Sequence, residues 1–120
     1  MTTPDQAIEQ EIQAKGKTAP RITPADIEAN IRAETYFTAF DGFMADDRDM
    51  TMQDTDALKL LTFCVLVLRN GFTVTGESAC ASAENFDAEI GRKIARQNAV
   101  EKIWPLLGFA LKERLYAEGG

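Results

Sequence analysis

Residues Leu60–Ala99 read LLTFCVLVLRNGFTVTGESACASAENFDAEIGRKIARQNA. Two apolar runs flank Asn70-Gly71, the strongest short-range sign of a β-hairpin. A type I′ turn needs positive φ at both central positions, which Asn and Gly tolerate best. The pattern predicts strands over about Leu60–Arg69 and Phe72–Gly76. The first is apolar at nearly every position, so cover is expected on both of its faces. A lone two-stranded hairpin is unstable in water, so helices or a partner's hairpin must pack on it. After Ser82 the spacing becomes helical, and a turn rich in Gly, Ser and Thr joins the two.

Working toward the C-terminus, Ser82 suits an N-cap, with Glu84 and Asp87 favouring the positive end of the helix. Phe86, Ile90 and Ile94 make a stripe at i, i+4 spacing, and Ala88, Ala95 and Ala99 make a face of small residues. Gly91 costs about 1 kcal/mol against alanine in a helix, which points to another backbone passing close to it. Pro105 should stop this helix near Ile103 and open a last one, to about Ala117, carrying Leu107, Leu111 and Leu115. Trp104 reads as a core anchor.

Working toward the N-terminus, Thr23-Pro24-Ala25-Asp26 is a helix start: Thr23 as N-cap, Pro24 at the first helical position, Asp26 completing a capping box. The helix is expected to reach about Phe40, where Asp41-Gly42 breaks it. Its apolar residues fall on two faces, Ile27 and Ile31 on one, Ala33, Tyr36, Phe37 and Phe40 on the other. Either the helix bends or it is covered on two sides. Residues 4–15 suit a short helix stopped by Gly16, and the two prolines of KTAPRITP mark an extended linker. The organisation expected is a short helix and linker over 1–22, then a single α+β domain over 23–118 with an acidic loop at 41–57. The fold class is α+β: an N-terminal helix, a β-hairpin and two C-terminal helices, assembled as a homodimer or higher homo-oligomer that covers the hairpin edges.

A chain of 120 residues with 45% hydrophobic and 27% charged content is a globular domain that buries roughly two-thirds of its unfolded surface. The longest apolar run is about half of what a membrane helix needs, and no secretory signal stands at the N-terminus. Cys64 and Cys80 make no disulfide framework, which reads as reduced thiols in a cytosol. The chain contains no histidine. That removes the commonest general base, the commonest zinc ligand and every Ser-His-Asp or Cys-His arrangement. The expectation is a protein that is not an enzyme and uses no cofactor or metal.

Net charge is −6, and nearly all of it lies between Asp41 and Ala57, where six aspartates stand against Arg48 alone. Duplex nucleic acid is disfavoured as a partner, because non-specific binding needs many cationic contacts to phosphate; a membrane is not expected either. The aspartate run lacks the glycine and glutamate of an EF-hand loop and reads as a solvated, mobile loop. Its alternative use is to contact a basic site on a host enzyme.

Two features suit anions. The hydroxyl-rich turn Thr73-Val74-Thr75-Gly76-Glu77-Ser78 precedes a helix N-terminus, although it matches neither the P-loop nor the dinucleotide fingerprint. Arg92, Lys93 and Arg96 form a basic patch that serves either as a salt-bridge ladder with Glu89 or as a phosphate clamp. Lys15, Lys17 and Arg21 flank the cap at Thr23. The candidate ligand-binding residues are therefore Arg21, Thr23, Thr73, Thr75, Ser78, Arg92, Lys93 and Arg96, with no catalytic residue among them. Cys64, inside a strand, reads as inert, and Cys80, near a helix N-terminus, as the more reactive thiol.

TAPRITPADIEANI and LTFCVLVLRNGFTVTGESACASAENFDAEIGRKIARQNAVEKIWPL resemble a family of small proteins of tailed bacteriophages and prophages, named after gene forty-nine of one phage and gene sixty-six of another. Position 83 holds alanine where the family pattern has proline; either suits a first helical turn. The resemblance implies expression in the cytoplasm of an infected bacterium and an accessory role rather than virion assembly. It carries over no catalytic residue. The expected function is stoichiometric binding that counters host defence by sequestering a nucleotide-like signalling molecule. The alternatives are an inhibitor of a host protein, working through the acidic loop or the apolar first helix, and a histidine-free hydrolase of such a signal.

Overall fold

The structure, a computed structural model, describes residues 3–17, 19–46 and 55–119. Helices α1 (Pro4–Ala14) and α2 (Pro24–Asn30) lead into strand β1 (Ile31–Thr38). Helices α3 (Ala39–Ala45) and α4 (Thr55–Leu58) follow, then strands β2 (Leu61–Leu68) and β3 (Thr73–Ala79). A 3-10 turn (Ala83–Asn85) precedes α5 (Ala88–Ala117). The three strands form one antiparallel sheet in the order β1-β2-β3. The chain is α+β, as expected, and it divides into two compact units: residues 1–30 with 103–120, and residues 31–102.

In the first unit, α1 opens on a capping box between Thr3 and Gln6 and ends before Gly16, whose φ of 67° is the left-handed value glycine supplies at helix ends. The box anticipated at the start of α2 is present: Asp26 N–H donates to Thr23 Oγ1 at 3.1 Å, and Thr23 N–H donates to Asp26 Oδ2 at 2.9 Å. Trp104 is half-buried, its indole N–H donating to Asp5 Oδ2 at 3.2 Å.

The helix expected to run from Thr23 to Phe40 stops at Asn30, and residues 31–38 are a strand instead. Ile31, Thr35, Tyr36, Phe37 and Thr38 are β-branched or aromatic and lose rotamer freedom in a helix. Pairing with β2 supplies the ladder hydrogen bonds, so long-range pairing wins over helix continuation. Of the apolar residues read as two faces of one helix, Ile27 lies in α2, Phe40 in α3, and Tyr36 and Phe37 on opposite faces of the strand. A register slip between Ile31 and Ala33 places a bulge at Arg32, after which Glu34 lies opposite Leu66, Tyr36 opposite Cys64 and Phe37 opposite Phe63. The third strand therefore comes from the chain itself.

Beyond β1, Asp41-Gly42 does not break a helix. Thr38 and Asp41 repeat the Thr23–Asp26 box, with reciprocal bonds of 2.8 and 3.1 Å, and start α3. Of the expected acidic loop, Asp41 and Asp56 lie in short helices, while Asp47, Arg48, Asp49 and Asp54 lie outside the described residues.

The hairpin is present, with a different turn. Leu68 N–H donates to Phe72 O at 2.7 Å and Gly71 N–H to Leu68 O at 2.9 Å, so the loop has three residues, 69–71. Gly71, at φ 92°, takes the left-handed position at its end. Phe72 N–H is then satisfied by the Asn70 side chain at 2.9 Å. The two-residue type I′ turn is replaced by this three-residue alternative. The second strand continues to Ala79, so the expected turn at Thr73–Ser78 is strand.

Two further expectations fail at the C-terminal helices. Ser82 makes no side-chain cap and heads only the 3-10 turn; Asp87 caps α5, its Oδ1 accepting from Ile90 N–H at 3.0 Å. Pro105 lies inside α5, which is one helix and not two. Proline removes one hydrogen bond, to the Glu101 carbonyl, at a cost of about 3 kcal/mol. The following residues are mostly strong helix formers and resume the ladder one turn later.

In the second unit, the first half of α5 lies on one face of the sheet. Its buried stripe is Gly91, Ala95 and Ala99, with Val100 beside it; Ile90 and Ile94, of the apolar stripe, are exposed. Thr62, Cys64, Leu66 and Leu68 of β2 and Val74 and Gly76 of β3 are buried with that stripe. The close backbone approach expected at Gly91 occurs at Gly76. A Cβ there would meet Ala95 O at 2.2 Å and Ala99 N at 2.3 Å, whereas one at Gly91 would meet the Thr62 side chain at 3.1 Å.

Candidate functional site

The side of α5 facing away from the sheet carries Arg92, Lys93 and Arg96. The small-residue stripe beneath sets their position: with Gly91, Ala95 and Ala99 buried, residues one and two places along the helix must point outward. Lys93 Nζ lies 3.3 Å from Glu89 Oε1, and both side chains are largely exposed. Arg96 Nε donates to Glu34 Oε2 on β1 at 2.8 Å. Arg92 is exposed one turn before Arg96. On the other flank of the helix, Asn98 Nδ2 donates to the outward carbonyl of Glu77 at 2.8 Å and occupies part of the β3 edge.

Below Arg96, Tyr36 and Cys64 sit opposite each other on neighbouring strands. The Tyr36 hydroxyl is pushed up to about 12, first by burial and then by Cys64 and the negative charge of Glu34. Burial also raises the Cys64 thiol, partly offset by its hydrogen bond with Tyr36. Both groups are neutral at physiological pH. Cys64 is fully buried and Cys80 half-buried, its Sγ donating to Ser82 O at 3.1 Å; both are free thiols.

Two of the eight candidate residues lie in the first unit and six in the second. Arg21 makes a two-armed ion pair with Glu9, one arm at 2.7 Å, which holds the Glu9 carboxyl below its usual range. Thr23 is used as a helix cap. These two belong to the first unit, where Thr23 also lines a groove of about 480 Å³ with Gln6, Glu9, Gln10, Gln13, Pro24 and Ala25. In the second unit, Thr73 and Thr75 are in register with Val67 and Val65, on the sheet face opposite α5. Ser78 is in register with Thr62 on the helix-covered face. Of the eight, the structure gathers Arg92, Lys93 and Arg96.

Sequence reasoning missed Glu34 and Tyr36, because it placed them in a helix. The signal was available: Thr38-Ala-Phe-Asp41 repeats the Thr-x-x-Asp spacing of the first capping box, which marks a new helix start just after a β-branched and aromatic run. Among the described residues no cluster of three or more His, Cys, Asp or Glu side chains could hold a metal ion, and no helix is long and apolar enough to cross a membrane.

The model of the phage protein family named for N4 Gp49 and phage Sf6 gene 66 matches residues 22–115. The chain belongs to that family. The match runs from the cap of α2, through the sheet, to the last turns of α5. No curated protein and no solved structure matches this phage protein.

Proposed function

We propose that this phage protein is an accessory factor of the infected bacterial cytoplasm. It acts there by stoichiometric binding, without turnover, of an anionic, nucleotide-like signalling molecule, and so counters host defence. The observation that supports this is the set of three cations, Arg92 and Lys93 exposed and Arg96 half-buried, on a helix whose opposite side is seated on the sheet. Arginine's planar fork suits phosphate oxygens. The competing carboxylates, Glu89 and Glu34, are at the surface, where such pairs contribute only about 0–1 kcal/mol. A ligand phosphate can replace them at little cost. The absence of histidine from the sequence favours holding a ligand over transforming it.

Calorimetric titration with cyclic nucleotides and ADP-ribose tests the proposal. Saturable binding is expected with one member of the panel, weakened about tenfold by Arg92→Ala and by Arg96→Ala, the loss of roughly one charge-assisted hydrogen bond. The ligand should be recovered unchanged after long incubation. No heat of binding at near-millimolar ligand, or equal binding by both variants, overturns it.

A further inference from the structure

The face of the sheet away from α5 is apolar along its middle strand. Leu61, Phe63, Val65 and Val67 alternate with the buried residues of β2 and are half-buried. Beside them Phe37 of β1 stacks on Phe63, with ring centroids 5.5 Å apart, and stays 39% exposed. Apart from Phe37, the two edges of the same face carry small or hydroxyl residues beside Val65 and Val67: Ala33 and Thr35 on β1, Thr73 and Thr75 on β3. Of the residues in register on this face, Glu77 alone is charged.

We infer that this face packs on the same face of a second copy of the chain, forming a two-fold sheet-on-sheet dimer. Three features select a second copy as the occupant. The apolar stripe lies on the middle strand of three, so a two-fold axis lying between the sheets and crossing that strand sets β2 of one copy over β2 of the other. Stripe then meets stripe and hydroxyl border meets hydroxyl border, the self-complementarity an isologous contact requires. Next, the chain carries a net charge of −6, concentrated between Asp41 and Ala57, which opposes contact between copies through that segment. This face is nearly uncharged, as the centres of homodimer interfaces are. Finally, three strands about 4.8 Å apart and seven or eight residues rising about 3.3 Å each make a patch of roughly 15 by 25 Å. Its side-chain relief brings the accessible area toward the ~600 Å² per partner of the smallest specific interfaces. That area gives a reversible dimer, populated by concentration.

Sedimentation velocity on ligand-free protein, from micromolar to near-millimolar concentration, tests this independently of anion binding. The mass is expected to rise from one chain to two and no further. Val65→Glu, at the centre of the stripe, should stay a single chain at every concentration with unchanged far-ultraviolet circular dichroism. Thr75→Lys, at the exposed border, should weaken association at least tenfold. Arg92→Glu, on the other side of the sheet, should associate as the wild type does. If Val65→Glu does not fold, Thr75→Lys decides. A wild type that remains a single chain throughout, growth beyond two copies, or folded Val65→Glu and Thr75→Lys that associate normally overturns the inference.

Discussion

The two faces of the sheet differ in what a side chain meets. On one, α5 approaches so closely that Gly76 has no room for a Cβ, and Cys64 and Leu66 are fully buried. On the other, Phe63, Val65 and Val67, as apolar as their neighbours, keep part of their surface in water. Hydrophobicity along β2 is the same on both faces; packing is not. Burial is decided by which face the helix reaches, and a helix approaches a sheet this closely only over residues without bulk.

Replacing Gly76 is the strongest way to test that contrast. Gly76→Val forces backbone apart from backbone, and is expected to lower stability in urea by at least about 3 kcal/mol. A loss below about 1 kcal/mol would mean that the helix does not lie where it is described. A matched pair sharpens the comparison. Leu66→Ala should cost about 3 kcal/mol, whereas Val65→Ala, on the adjacent residue of the open face, should cost about 1 kcal/mol or less in dilute protein. Equal losses would show that the open face is covered within one chain.

A smaller effect concerns Thr62, buried on the helix side with no hydrogen-bond partner for its hydroxyl. Thr62→Val removes an unsatisfied group at nearly constant shape and is expected to stabilise by about 1 kcal/mol. A loss of stability would reveal a partner for that hydroxyl. The last effect appears only at alkaline pH. Tyr36 titrates at about 12 in the folded chain against 10.0 ordinarily. The unfolded chain therefore releases this proton first, and stability should decline as pH rises between those values. Tyr36→Phe should flatten the decline, as followed by urea unfolding at several alkaline pH values.

How much was legible beforehand follows from the range of the forces involved. The hairpin at Asn70-Gly71, the Thr23–Asp26 cap and the stop at Gly16 were readable, because each is settled by residues within four positions of one another. The strand at 31–38 was not. Its apolar residues are compatible with a helix until β2, some thirty residues on, offers a ladder. The repeated Thr-x-x-Asp at 38–41 is a local signal of the same kind. Within the candidate site, the three cations of α5 were legible as a cluster. Thr73, Thr75 and Ser78 were not separable from them, because alternation places neighbouring strand residues on opposite faces only once the segment is known to be a strand.

By itself the sequence determined the class of fold, the places where α1 and α2 begin and the exclusion of imidazole chemistry, all properties of short segments or of composition. The tertiary structure decided which stripe of α5 is buried, that Pro105 stays within a helix, and that one face of the sheet remains open. Those outcomes depend on contacts between residues far apart in the chain, where close packing outweighs the roughly 1–3 kcal/mol of a local preference.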